Sequence, residues 1–162
     1  MVESCFLSEG LTMKNACAVA VLLFVFTVVS TAQTQTTKML DVTPEQVQRI
    51  EILYFPERVS VRAALSPERL EQLYEYKLEL RDVRHSAEWQ TLLPLLQNTS
   101  VKPERRNYDH RTAVLLYDNK GKRIASLYFD QFGSGGTING ESGSVSGGVY
   151  RWAKSLLKGV TG

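Results

Sequence analysis

Hydrophobic residues fall into one unbroken run near the N-terminus and, beyond it, a series of short periodic segments. Ala16 to Val29 reads ACAVAVLLFVFTVV, with Thr27 as its one polar interruption. Lys14 lies just before the run and Ser30-Thr31-Ala32 just after it. A positive n-region, a short apolar stretch and small residues at −3 and −1 are the layout of a secretory signal peptide. Cleavage is expected between Ala32 and Gln33. The run is short for a spanning helix, which needs roughly 20 apolar residues; retention as an uncleaved anchor is the alternative. Residues 1–12 carry Glu3 and Glu9 and no Lys or Arg, a poor n-region, so Met13 is the expected start of translation.

Past the run, residues 33–42 read as a polar leader, and residues 43–162 as a single domain. Thr43-Pro44-Glu45 carries a helix-start signal with room for about one turn. Ile50 to Phe55 is rich in β-formers and Val59 to Leu65 alternates, so the two are expected to pair as a hairpin about Pro56-Glu57. Ser66-Pro67-Glu68 is a second cap, followed by Leu70, Leu73 and Tyr74 at helical spacing. Residues 77–81 alternate as a strand should, although Leu73, Tyr76, Leu80 and Val83 also fit one helix face. A short helix followed by a strand is the preferred reading.

Ser86 can cap a helix carrying Trp89, Leu92, Leu93 and Leu96, with Pro94 expected to kink or end it. Residues 98–109 read as a polar loop. Arg111 to Tyr117 and Lys122 to Asp130 form a predicted hairpin around Asp118-Asn119-Lys120-Gly121. Seven glycines between Gly133 and Gly148 suggest turns and a mobile loop, with one short strand possible at residues 137–139. Val149, Trp152, Ala153, Leu156, Leu157 and Val160 form the clearest helical stripe, capped by Ser146 and stopped by Gly159. This order predicts an α+β domain: a mostly antiparallel sheet of about five or six strands covered by two or three helices, with the C-terminal amphipathic helix packed on the sheet.

Charge and cysteine count narrow the functional classes. Loss of Lys14, Glu3 and Glu9 with the leader would leave 18 basic and 15 acidic residues, too mild an excess to imply nucleic acid or an anionic membrane as partner. Membrane contact is then expected only through the signal segment during export. Both cysteines, Cys5 and Cys17, precede the cleavage point. The mature domain would be cysteine-free, which excludes thiol catalysis and thiolate metal sites. A eukaryotic secreted domain of this size more often carries disulfides, so a bacterial periplasmic protein is expected. The sequon Asn98-Thr99-Ser100 matters only in a eukaryotic host.

Three features could carry chemistry. The glycine-rich segment departs from both phosphate-binding patterns: it holds no Lys, and Ile138 stands where G-x-G-x-x-G needs its third glycine. Asp109-His110-Arg111 offers an imidazole beside a carboxylate, yet adjacent strand residues point to opposite faces, so an Asp109–Arg111 pair is the simpler outcome. Lys102, Arg105, Arg106, Tyr108, His110 and Arg111 form a basic, aromatic cluster diluted by Glu104 and Asp109, of the kind enriched in recognition surfaces. No cofactor or metal is expected: the spacing of His85 and His110 supports no zinc site, and no G-x-S-x-G element is present.

The sequence therefore points to a small exported non-enzymatic module that binds a protein, peptide or cell-envelope component. Arg105, Arg106, Tyr108, His110, Ser142 and Ser144 are its candidate contacts. The alternative is a small secreted hydrolase using Asp109 and His110 with a serine of the 133–148 segment.

Overall fold

The structure, a computed structural model, describes residues 37–161; the signal-peptide reading falls on residues outside that range. Eight strands form one antiparallel sheet: β1 (Lys38–Met39), β2 (Arg49–Tyr54), β3 (Tyr76–Arg81), β4 (Ser100–Pro103), β5 (His110–Tyr117), β6 (Arg123–Asp130), β7 (Gly135–Ile138) and β8 (Glu141–Ser146). Their order across the sheet is β1-β4-β8-β7-β6-β5-β2-β3. Among the described residues three α-helices accompany them, α1 (Pro67–Leu73), α2 (Ala87–Gln97) and α3 (Val149–Thr161). The class is α+β, as the order of elements predicts, but eight strands replace the expected five or six.

One face of the sheet is sealed by α2 and α3. Ile50, Ile52, Val114, Leu116, Leu127 and Phe129 meet Trp89, Leu92 and Leu96 of α2 and Val149, Trp152 and Leu157 of α3. Burial of each such side chain contributes about 1.5–3 kcal/mol. The caps expected at Ser66 and Ser86 are made: their hydroxyls accept from the N–H groups of Arg69 and Trp89. Helix α2 runs one turn past Pro94 before it ends. The α3 helix opens on Gly148, whose carbonyl takes the Trp152 N–H. Ser146, the expected cap, instead lies in β8 opposite Ser100, and Gly159 lies within the helix rather than stopping it.

The opposite face carries a smaller core of Leu53, Ala113, Leu115, Tyr117 and Tyr128, covered by Phe55, Leu65 and Leu70. Here the expected hairpin of residues 50–55 with 59–65 is overturned. Both edges of β2 are taken, by β3 and β5, so residues 59–65 have no strand to join. They cross the face as an irregular segment held by side chains. The Arg111 guanidinium donates to the carbonyls of Pro56 and Val59, at 3.2 and 2.9 Å, and to the Asp109 carboxylate. The other Asp109 oxygen accepts the Leu65 N–H at 2.8 Å. This seats α1, which follows directly, over β5.

Two segments read as loops are strands. Residues 100–103 form β4, between β1 and β8. The glycine-rich segment is largely the β7–β8 hairpin, turned by Asn139-Gly140 with both residues at positive φ, 47° and 86°, the type I′ geometry of a two-residue connection. Its glycines permit close approach. A Cβ on Gly136 would lie 1.9 Å from the Tyr128 carbonyl oxygen.

The two glycine environments give opposite expectations. Gly136→Ala should cost about 1–3 kcal/mol through that clash, whereas Gly159→Ala, with open space around it, should stabilise by up to about 1 kcal/mol. Urea midpoints of the two variants check both signs.

Candidate functional site

The second face is only half covered. Beyond α1, the exposed part of β6, β7 and β8 forms the floor of an open cleft of about 1020 Å³. Ser66, Glu68, Glu71 and Gln72 wall one side, and Arg106, Asn107 and Tyr108 the other. The floor is His110, Ser126, Tyr128, Thr137 and Ser142. Register explains the row of hydroxyls: Tyr128 opposes Thr137 and Thr137 opposes Ser142, and directly opposed residues share a face.

Two bulges turn key side chains onto this face. Pairing of β5 with β6 steps from His110↔Asp130 to Thr112↔Phe129, leaving Arg111 as the extra residue. Strict alternation would place His110 with Thr112, on the face of Phe129 and the large core. The bulge puts it beside Tyr128 instead, ring centroids 5.9 Å apart. At the far end, Leu116↔Ala125 steps to Tyr117↔Arg123, which moves Arg123 from the face of Ala125 to that of Tyr117. There Arg123 makes a two-pronged contact with Glu71, at 2.9 and 2.7 Å, and approaches the Tyr117 and Tyr128 hydroxyls. Tyr128 also donates to Glu71.

His110 is buried and both ring nitrogens are occupied. Nδ1 lies 2.8 Å from the Leu65 carbonyl, and Nε2 lies 3.0 Å from the Thr137 hydroxyl. A carbonyl can only accept, so the proton sits on Nδ1 and Thr137 donates to Nε2. With its one hydrogen committed, Thr137 accepts from Ser142, 2.9 Å away. Burial pushes the imidazole below its ordinary value, against the opposing pull of the Leu65 carbonyl and of Asp109 and Asp130. Asp109 does not touch the ring; its oxygens go to Leu65 and Arg111, the simpler outcome the sequence suggested.

The carboxylates of the α1 wall are both held ionised. Burial works to raise Glu71, but the bonds from Arg123 and Tyr128 outweigh it and the group falls below its usual range. Glu68 is exposed, and its backbone N–H and the Ser66 hydroxyl lower it. On the opposite wall Tyr108 donates to Glu104 at 3.0 Å, and the Arg106 guanidinium stands 5.6 Å from its ring centroid. Gly135 lets that ring lie against β7: a Cβ there would meet it at 2.0 Å.

Of the candidate contacts, Arg106, Tyr108, His110 and Ser142 line the cleft. Arg105 is exposed outside it, and Ser144 lies farther along β8, opposite Gly135 and Lys102. The basic cluster is divided: Arg111 is buried in its clamp while Arg105 and Arg106 face solvent. His85 belongs to a separate single turn, Val83–His85, and the described residues hold no cluster of three metal-ligating side chains. Sequence reasoning missed Glu68, Gln72, Asn107, Ser126 and Thr137. The Asn139-Gly140 pair was the available signal, since a two-residue turn there sets Thr137 against Ser142.

His110 binds its proton less tightly in the fold than in an unfolded chain. Stability is therefore complete above the ordinary value of 6.5 and falls as pH drops below it towards the folded value. His110→Gln should flatten this part of the stability–pH curve, as read by urea unfolding at a series of pH values.

No helix among the described residues is long and apolar enough to cross a membrane. No family model, curated protein or solved structure matches the chain, which leaves the chemistry of the cleft as the ground for a functional reading.

Proposed function

We propose that this is an exported, non-enzymatic binding module, and that the cleft between α1 and the β6–β8 floor is its ligand site. The observation that carries the reading is the state of His110: each ring nitrogen already has a partner, and no carboxylate is hydrogen-bonded to it. A general base needs a free nitrogen facing the proton it takes. This imidazole instead fixes Thr137 and Ser142 in place, so that the floor presents oriented hydroxyls.

The cleft lining favours a ligand rich in hydroxyls and amides. Ser126 can donate or accept, Ser142 can accept because its own hydrogen goes to Thr137, Gln72 and Asn107 offer planar amide groups, and Glu68 is a standing acceptor. Tyr108, buried against Gly135, shapes the wall beside these groups. Charges of both signs line the walls, which suits a ligand of mixed character over a polyanion. Among exported proteins, the matching material is cell-envelope glycan with its attached peptide.

The hydrolase alternative has one feature in its favour: Ser142 is a single hydrogen bond away from the residue that touches His110. It would need Thr137 to leave the imidazole and Ser142 to replace it. Covalent labelling of Ser142 by an organophosphorus serine reagent would reverse the order of the two readings.

The direct test is a backbone-amide NMR titration with soluble disaccharide-peptide fragments of bacterial cell wall. Shifts centred on Ser126, Thr137 and Ser142 are expected, and Ser142→Tyr, which fills the floor, should abolish them. Arg106→Glu at the rim should weaken binding several-fold, while Arg105→Glu, outside the cleft, should leave it within about twofold. Absence of shifts, or shifts unchanged in Ser142→Tyr, overturns the assignment.

A further inference from the structure

Strand β3 ends the sheet. Its inner edge pairs with β2 along all six residues, and no described residue pairs with its outer edge. It is not a short or bulged edge of the kind that discourages pairing. On the face of the large core it carries Tyr76, Leu78 and Leu80, all only partly buried. On the other face stand Lys77, Glu79 and Arg81, with Glu75 just before the strand. Leu73 and Tyr74, at the end of α1 immediately upstream, are two of the four large apolar residues exposed among the described residues, at 43% and 38%.

We infer that this edge is an interface between two copies of the chain, which join β3 to β3 in an antiparallel pair centred on Leu78. The register follows from the sequence. Two identical strands that meet antiparallel are related by a two-fold axis perpendicular to the sheet. Opposed residues then share a face, so the axis must lie midway between one residue and its own copy. Three centres are available near the middle of the strand. Centring on Lys77 opposes Lys77 to itself and Glu75 to Glu79. Centring on Glu79 opposes Glu79 to itself and Lys77 to Arg81. Both place like charges together, which destabilises a pair.

Centring on Leu78 gives a different outcome. Leu78 meets its own copy, Tyr76 meets Leu80, Lys77 meets Glu79 and Glu75 meets Arg81. Every apolar residue then faces an apolar one and every charge faces its opposite, and each unlike pair occurs twice by symmetry. Charges on an edge strand ordinarily oppose association. Here their alternation selects one register of self-pairing. The joined sheet would have sixteen strands, and the half-buried Tyr76, Leu78 and Leu80 would gain cover from their partners.

Glu75 and Arg81 are the residues to test, because both are exposed and neither belongs to the cleft. The protein, expressed from the full-length sequence, is expected to sediment as a dimer. Glu75→Arg places Arg opposite Arg81, and Arg81→Glu places Glu opposite Glu75. Each variant alone should dimerise at least about tenfold more weakly. An equimolar mixture restores an unlike pair at both positions, so a heterodimer of near-original affinity should form. Misfolding of either variant would not be rescued by mixing, and far-UV circular dichroism of each confirms its fold. The proposal is overturned if the unaltered protein stays monomeric up to about 100 µM, or if the single variants dimerise as well as the original.

Discussion

A single buried guanidinium organises the second face of this sheet. Arg111 sits at a bulge, only 6% exposed, and its donors are divided between the Asp109 carboxylate and two carbonyls of the segment after β2. A charge in that position is costly unless paired and hydrogen-bonded; here it is paired with Asp109, and each of its three nitrogens has an acceptor. The bulge that exposes Arg111 to this segment also rotates His110 onto the cleft floor. Asp109 holds the Leu65 N–H while His110 holds the Leu65 carbonyl. One irregularity in β5 thus fixes the segment that carries α1, the wall that α1 forms, and the floor opposite it.

The second bulge, in β6, works with the first. It brings Arg123 to Glu71 of α1, so the helix is tied to the sheet near its middle as well as at its start. The contact extends through tyrosine hydroxyls: Arg123 reaches Tyr117, Tyr117 donates to Glu51, and Lys77 of β3 donates to the same carboxylate. Polar groups on this face are linked from the outer strand to the cleft. The opposite face is held by apolar packing under α2 and α3. The two faces solve the problem of burial by different means, and the polar one leaves the 1020 Å³ cleft open.

Parts of this arrangement were legible in the sequence. The stripe from Val149 to Leu157 and the caps at Ser66 and Ser86 are local signals, and local geometry honoured them. The Asp109–Arg111 pair was expected from strand alternation and is present, although the bulge at Arg111 interrupts that alternation. What failed depended on distant partners. Residues 59–65 alternate well enough for a strand, but β3 and β5 had already filled both edges of β2. Ser100 to Pro103 is too polar and short to announce itself, and becomes a strand because β8 lies alongside. The glycines from 133 to 148 suggested freedom, whereas Gly135 and Gly136 are small because a tyrosine ring and a carbonyl press against them. His110 could not be assigned a face, since the bulge beside it leaves no mark in composition or period.

The sidedness of the sheet has a consequence for how copies of the protein would meet a surface. One face is closed by helices and the other holds the cleft. Joining two sheets at their β3 edges about an axis perpendicular to both keeps each face on its own side. Both clefts would then open in the same direction, with α2 and α3 of both copies behind them. A repeating polymer could be held at two points at once, and the second contact would form at the high local concentration set by the first. Grip on such a polymer would then depend on the spacing of its repeats as much as on the fit of any one of them.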